Sequence, residues 1–349
     1  MELLGLSVGL LVLFVSFGFM VGVLFGFFGM GGSFLVTPTL LLLGYPASVS
    51  IGSGLAFYFG TSVIAVLKHY DVGEVDYTLG AILFVALSIG IELGSRLVFG
   101  LEALGVAEFV TGVAYVLLLG GIGALFLRRA YNLTDEDVGD APVDEANEQA
   151  DVGDEEIPPV ARRIQSYTVP PMISLSSGGR ASLWTIGGSG GIVGVISGLI
   201  GVGGGFIRMP TIYYVIGTPL TAAVGTSLFA GLFSGAFGTF TYGTSGSVDL
   251  TVVGLLLVGS ALGARIGSAA TTTVEENDVI VYFGLMMVFA SLGIALSEVA
   301  NWLGTSALDL VSVLLLVGSS FLVALLILYK AFEATRTRNE GEALPSGNP

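Results

Sequence analysis

The sequence predicts an all-α polytopic membrane protein: two homologous repeats of about four helical segments each, both with Gly-rich broken helices or hairpins, plus one extra C-terminal helix. Three observations predict it. Hydrophobic residues make up 53% of the chain and charged residues only 11%, and apolar runs recur at the length of about 20 residues that a helix needs to cross a bilayer. The segment GVLFGFFGMGGSFLVTPTLLLLGYPASVSIGSGLAF, from Gly22 to Phe57, returns as GVISGLIGVGGGFIRMPTIYYVIGTPLTAAVGTSLF, from Gly194 to Phe229. Each copy also sets a glycine cluster inside apolar sequence. A helix broken at membrane depth is tolerated only inside protein or beside a water-filled cavity.

The correspondence is positional. At an offset of 172 it pairs Gly22 with Gly194, Gly26 with Gly198, Gly29 with Gly201, Gly31 with Gly203, Gly32 with Gly204 and Pro38 with Pro210. After one inserted residue the offset becomes 173, pairing Gly44 with Gly217, Pro46 with Pro219, Asp76 with Asp249, Gly90 with Gly263 and Gly94 with Gly267.

The first repeat occupies residues 1–130, with apolar segments at 3–27, 34–44, 50–67, 77–99 and 106–128. Its start, MELLGLSVGL, has no basic region ahead of the apolar run, so it reads as the first membrane segment and not as a cleavable signal peptide. The pieces after the glycine clusters, 35–43 and 207–216, are about half a bilayer long at ~1.5 Å per residue and are expected as half-helices after a break. Residues 131–181 form an acidic linker. Between Asp135 and Glu156 it carries eleven carboxylates and no Lys or Arg, a composition expected to stay solvated and disordered. The second repeat, 182–300, has segments at 183–202, 206–216, 222–242, 249–270 and 279–297. A C-terminal transmembrane helix within 301–332 has no counterpart in the first repeat, and 333–349 is a polar tail. Most of the 53 glycines are expected to let helices pack closely, since lipid supplies no hydrophobic drive between them.

Orientation follows from arginine. Arg128, Arg129, Arg162, Arg163 and Arg180 flank the linker, and Lys330, Arg336 and Arg338 follow the last segment, so the acidic loop and the C-terminus are both expected in the cytoplasm. An even number of crossings must then lie between them. The segment broken at Gly201–Gly205 must add none or two, and the simplest solution is a hairpin, which makes the repeats inverted. A single crossing would make them parallel. Two lysines against ten arginines, with the acidic loop, suggest a halophilic archaeal source.

The breaks point to an anion. A helix starting after GMGGS or GVGGG presents unpaired N–H groups and the positive end of its dipole. The expected substrate-binding set is Gly29, Gly31, Gly32, Ser33, Gly201, Gly203, Gly204, Gly205, Arg208, Thr226 and Ser227. Arg208 is the sharpest of these, a charge within apolar sequence three residues after Gly205, with Val36 at the matching place; the alternative is that it snorkels to the interface. Ser53, His69, Tyr242 and Arg265 are candidates for gating or for coupling to H+ or Na+, His69 because histidine titrates near neutral pH. The alternative for Arg265 is a salt bridge with Glu92, and for His69 an interfacial anchor. Asp76 and Asp249 recur where a helix starts and are expected as N-caps.

The absence of cysteine removes disulfides and thiolate nucleophiles. One histidine and no metal-spaced ligands argue against an enzyme, a metal site or a bound cofactor, and the lack of a P-loop argues against nucleotide-driven transport. The expected partners are a small anionic substrate and the lipid bilayer, with no nucleic acid.

The motifs GFFGMGGSFLVTP and GLIGVGGGFIRMP, each followed by a Gly-x-Pro turn and then by GSG or GTS, resemble the paired signatures of the sulfite exporter TauE/SafE family. HYDVGEVD and TYGTSGSVD, followed by helices containing IELGSR and ALGARIGS, are similar to that family too. The resemblance covers both halves, leaving out the acidic loop, the last helix and the tail. It implies a permease of the cytoplasmic membrane that moves small anions, often sulfite, sulfoacetate or other sulfur-containing organic anions, as a secondary transporter. An anion channel, or a carrier for a non-sulfur organic anion, is the alternative. The chain departs from the pattern at Ser53-Gly54 against Thr226-Ser227, and at Ser33 against Gly205.

Overall fold

The computed structural model describes residues 2–3, 6–28, 33–68, 75–136, 163, 169–176, 180–271, 273–274, 276–304 and 306–342. Gly29, Gly31, Gly32, His69 and the acidic run from Asp137 onward lie outside them.

A two-residue ladder, β1 (Glu2–Leu3) with β2 (Leu6–Ser7), precedes α1 (Val8–Phe28). There follow the short α2 (Ser33–Leu42), then α3 (Ala47–Lys68), α4 (Tyr77–Ala103) and α5 (Ala107–Glu136). A second ladder, β3 (Met172–Ser174) with β4 (Arg180–Ser182), precedes α6 (Leu183–Ile200). The chain then forms the six-residue α7 (Gly205–Pro210), which runs on as a π-helical turn to Ile216, followed by α8 (Leu220–Thr244), α9 (Leu250–Ala270) and α10 (Glu276–Leu303). Last come α11 (Ser306–Val313) and α12 (Ser319–Glu342), joined through a second π-helical turn. Among the described residues, nine helices are long and apolar enough to cross a membrane.

Three boundaries differ from the sequence expectation, the first being that α5 runs to Glu136, six residues into the expected linker. The linker is not structureless throughout: β3 and β4 close a hairpin that seats Leu175 among Leu79, Ile186, Ile216 and Ala223, and the Asp76 carboxylate accepts from the Ser176 N–H at 2.6 Å. The last helix runs to Glu342, ten residues into the expected polar tail, because that stretch contains no proline or positive-φ glycine to stop it.

Small residues set the helix packing. A Cβ added to Gly22 or Gly26 of α1 would collide with the Ser260 or Ala264 carbonyl of α9, and one added to Gly263 or Gly267 of α9 would strike the Phe19 or Val23 carbonyl of α1. The same contacts recur between α4 and α6: Gly194 and Gly198 meet the Leu87 and Ile91 carbonyls, and Gly90 and Gly94 meet those of Gly191 and Val195. The repeat relates the two sets: subtracting 172 from Gly194 and Gly198 gives Gly22 and Gly26, and subtracting 173 from Ser260 and Ala264 gives Leu87 and Ile91. Each of these pairs therefore joins the first helix of one sequence copy to the penultimate helix of the other, parallel and backbone to backbone, which is how small residues secure helix association in lipid. By contrast α3 and α8, which also correspond in sequence, run antiparallel, with Leu55 against Gly238 and Tyr58 against Gly235 and Gly231.

The directions fix which ends share a face. Leu79, Ile186, Ile216 and Ala223 cluster, so α4, α6 and α8 begin at the face to which the π-helical turn returns. Ile51, Leu55, Val98 and Tyr242 cluster at the opposite face, where α3 begins and α4 and α8 end. The chain thus descends α6, turns at Gly201–Gly204 and comes back toward the face it left. α5 and α10 are antiparallel, with Gly112 on Glu298 and Gly123 on Gly284, and α10 makes a hairpin with α11, where Gly293 meets Ser312. The ends of α5 and α12 therefore lie with the start of α6. Trp184, 68% exposed, and Trp302, 93% exposed, stand near opposite faces, as aromatic belts do at the two membrane interfaces.

This arrangement is checked by single cysteines in the otherwise cysteine-free chain. Val169→Cys and Gly341→Cys should react with an impermeant maleimide from one side of sealed vesicles, and Leu104→Cys only from the other. Labelling of Val169→Cys and Gly341→Cys from opposite sides would contradict the helix directions.

Candidate functional site

The break after α6 is built from three glycines in the left-handed region: Gly201 at φ 72°, Gly203 at 67° and Gly204 at 72°. Side chains resist that conformation by about 1–2 kcal/mol per residue, so the cluster is a designed stop. A helix that stops inside protein strands its last carbonyls. Here hydroxyls from other helices take them up. Tyr242 Oη donates to Gly198 O at 2.6 Å, Tyr115 Oη to Ile200 O, Thr37 Oγ1 to Gly201 O at 3.5 Å and Ser33 Oγ to Val202 O at 2.6 Å.

Arg208 stands one turn beyond the break and is 2% exposed, so it does not snorkel to an interface. Its Nε donates to Ser227 Oγ at 3.2 Å, Nη1 to the Gly203 carbonyl at 3.2 Å and Nη2 to Tyr58 Oη at 2.7 Å. The guanidinium carbon lies 6.0 Å from the Tyr58 ring centroid, within reach of a cation–π contact. All three hydrogen-bond partners are neutral. Among the described residues, further guanidinium N–H groups and the charge itself have no partner, and an unpaired buried charge is costly. The space is opened by Gly231, at which a Cβ would collide with both Arg208 Nη2 and Tyr58 Oη, and by Gly203, at which one would strike the Tyr58 ring. Gly231 is the counterpart of Tyr58 at offset 173, as Val36 is of Arg208 at offset 172. The two sequence copies contribute unlike parts to one centre.

The other expected site residues are distributed as follows. Gly201, Gly203, Gly204, Gly205, Arg208 and Ser227 come together at the break. Thr226 Oγ1 accepts from the Asp76 N–H at 3.0 Å, and Ser53 Oγ accepts from the Asp249 N–H at 2.9 Å, the same bond made once by each sequence copy. Ser33 and Tyr242 face the break but donate to backbone carbonyls, so their protons are committed to structure. Arg265 is exposed on α9, and Glu92 accepts from Arg96 at 2.9 Å one turn along its own helix, so the alternative of a Glu92–Arg265 bridge does not form. Asp76 caps α4 through Leu79 N–H, and Asp249 caps α9 through Thr251 and Val252 N–H. Tyr58 is the residue that sequence reasoning missed. Its one trace in the sequence is that the repeat sets Gly231 opposite it, and a tyrosine in an apolar helix reads as core.

Among known proteins, the family model for the sulfite exporter TauE/SafE family matches residues 14–294. A probable membrane transporter protein, YunE, of Bacillus subtilis (strain 168) is 21% identical over 291 residues, covering 79% of this chain and 94% of the relative. A probable membrane transporter protein of Xylella fastidiosa (strain 9a5c) is 24% identical over 290 residues, covering 81% and 94%. The sulfite exporter TauE/SafE family protein 3 of Arabidopsis thaliana is 30% identical over 128 residues, 34% of this chain and 26% of that one. No solved structure matches the chain.

Tyr58→Phe keeps the ring beneath Arg208 and removes its hydroxyl, leaving a buried charged N–H without its acceptor. Stability in detergent should fall by about 1–3 kcal/mol, read from the unfolding transition. An unchanged transition would show that Nη2 does not depend on Tyr58.

Proposed function

The chain belongs to the sulfite exporter TauE/SafE family, and on that premise we propose that it is a secondary transporter moving a small anion, sulfite or a sulfur-containing organic anion, across the cytoplasmic membrane. The observation that carries this reading is Arg208, a guanidinium buried among apolar helices with no carboxylate among its partners in the described residues. An intramembrane charge of this kind marks a substrate or ion pathway. An anion drawn to it would complete the charge balance that the protein leaves open, with the hydroxyls of Tyr58 and Ser227 alongside.

A carrier suits the geometry better than a channel. Arg208 is closed to solvent, so an anion reaches it only when the surrounding helices part. The glycine-packed pairs α1–α9 and α4–α6 supply stiff bodies, and the antiparallel α3 and α8 cross between them at the site. Rocking one pair against the other would open Arg208 first to one face and then to the other, the alternating access expected of inverted repeats. The acidic loop and C-terminus then face the cytoplasm, and the downhill movement of H+ or Na+ can drive uphill flux.

Arg208→Gln keeps donors in place and removes the charge. In liposomes it should weaken substrate affinity by about ten- to a hundredfold, the loss of a charge-assisted bond worth ~1.5–3 kcal/mol, while the protein stays folded by size-exclusion and circular dichroism. Screening sulfite, sulfate, thiosulfate, sulfoacetate, taurine and lactate for saturable, trans-stimulated uptake identifies the substrate. Affinity unchanged in a folded Arg208→Gln protein would remove Arg208 from the site.

A further inference from the structure

We propose that the Arg208 site is selective by charge state: it takes monoanions that offer bare acceptor oxygens, such as a sulfonate, hydrogensulfite or a carboxylate, and excludes dianions of the same shape. This rests on the reading of Arg208 as the anion site and narrows it.

The first support is the charge inventory around the guanidinium. The elements that meet it are α3, α6, α8 and its own α7 with the π-helical turn, and none of them carries an Asp or Glu anywhere in its sequence. The one further Lys or Arg in these elements is Lys68, the last residue of α3, ten residues beyond Tyr58. Asp76 is buried with its N–H donating to Thr226, the residue before Ser227, but its carboxylate accepts from the N–H groups of Leu79 and Ser176. Occupied by a monoanion, the centre is neutral. Occupied by a dianion, it holds an uncompensated negative charge inside a membrane protein, where hydroxyl dipoles replace water poorly.

The second support is the direction of the hydrogen bonds. Ser227 Oγ and Tyr58 Oη both accept from Arg208, which can only donate, so their own protons point elsewhere. Neither proton has an acceptor among the described residues. The guanidinium and both hydroxyls therefore present donors together. Such a surface matches oxygens without protons and leaves a ligand's own donor facing like groups, the kind of mismatch that gives strong discrimination.

The test uses the purified full-length protein and two panels of anions: methanesulfonate, nitrate and acetate as monoanions, sulfate, thiosulfate and oxalate as dianions. Affinities are read from ligand-induced thermal stabilisation at fixed ionic strength, in wild type and in Arg208→Gln. The expected result is that at least one monoanion stabilises the wild type at a concentration a hundredfold or more below any dianion, and that this preference disappears in Arg208→Gln. Sulfite adds an internal check. Its apparent affinity should fall about tenfold per pH unit once pH passes its second ionisation, while that of the preferred monoanion stays flat. Dianions that stabilise as well as monoanions, both through Arg208, would overturn the charge-state proposal and leave the site standing. Stabilisation of wild type and Arg208→Gln alike, or by neither panel, would overturn the reading of Arg208 on which it rests.

Discussion

A positive charge buried among the helices, with no negative partner among the described residues, is the constraint on which the rest of this structure turns. Lipid offers Arg208 nothing, so protein must surround it, and the acceptors it finds are neutral: Ser227, Tyr58 and the Gly203 carbonyl. Reaching that carbonyl requires the backbone to leave the helix, which is what Gly201, Gly203 and Gly204 permit. Making room for the guanidinium beside Tyr58 requires that α8 have no side chain at Gly231. The break strands carbonyls in turn: Tyr242 and Tyr115 take up those of Gly198 and Ile200 at the end of α6, and Thr37 and Ser33 those of Gly201 and Val202 in the break. One charge thus accounts for residues on five helices.

The glycines do two different jobs. At the break they bend the backbone. Along α1, α4, α6 and α9, Gly22, Gly26, Gly90, Gly94, Gly194, Gly198, Gly263 and Gly267 have ordinary helical conformation and bring two backbones together, so that a Cβ at any of these eight would meet a carbonyl. Helix pairs joined this way make firm units, because small-residue contacts in lipid are lost as soon as the helices separate. Each unit draws one helix from each sequence copy. Relative motion between the units, and not within them, is where a transport cycle would find its freedom.

How much of this was legible depended on whether the cause was local. The Asp76 and Asp249 caps were readable because an N-cap is decided within a few residues. The break and Arg208 were readable because a glycine cluster and a charge both stand out against apolar sequence. Tyr58 was not, since a tyrosine in an apolar helix reads as core until α3 is seen to cross α8. Ser33 and Tyr242 lie where sequence placed interest, yet sequence carries no sign of which way a hydroxyl points, and both donate to backbone carbonyls, of Val202 in the break and Gly198 in α6. The β3–β4 hairpin was hidden for a similar reason. Its anchors are Leu175 in a socket formed by four helices and Asp76, 100 residues away along the chain.

Anomalous scattering from crystals grown with bromate, a heavy pyramidal monoanion of sulfite's shape whose oxygens carry no proton, would locate the anion directly. The account predicts a peak within hydrogen-bonding distance of the Arg208 guanidinium, flanked by the hydroxyls of Tyr58 and Ser227. A saturable anion peak elsewhere in the molecule, with the space beside Arg208 empty, would contradict it.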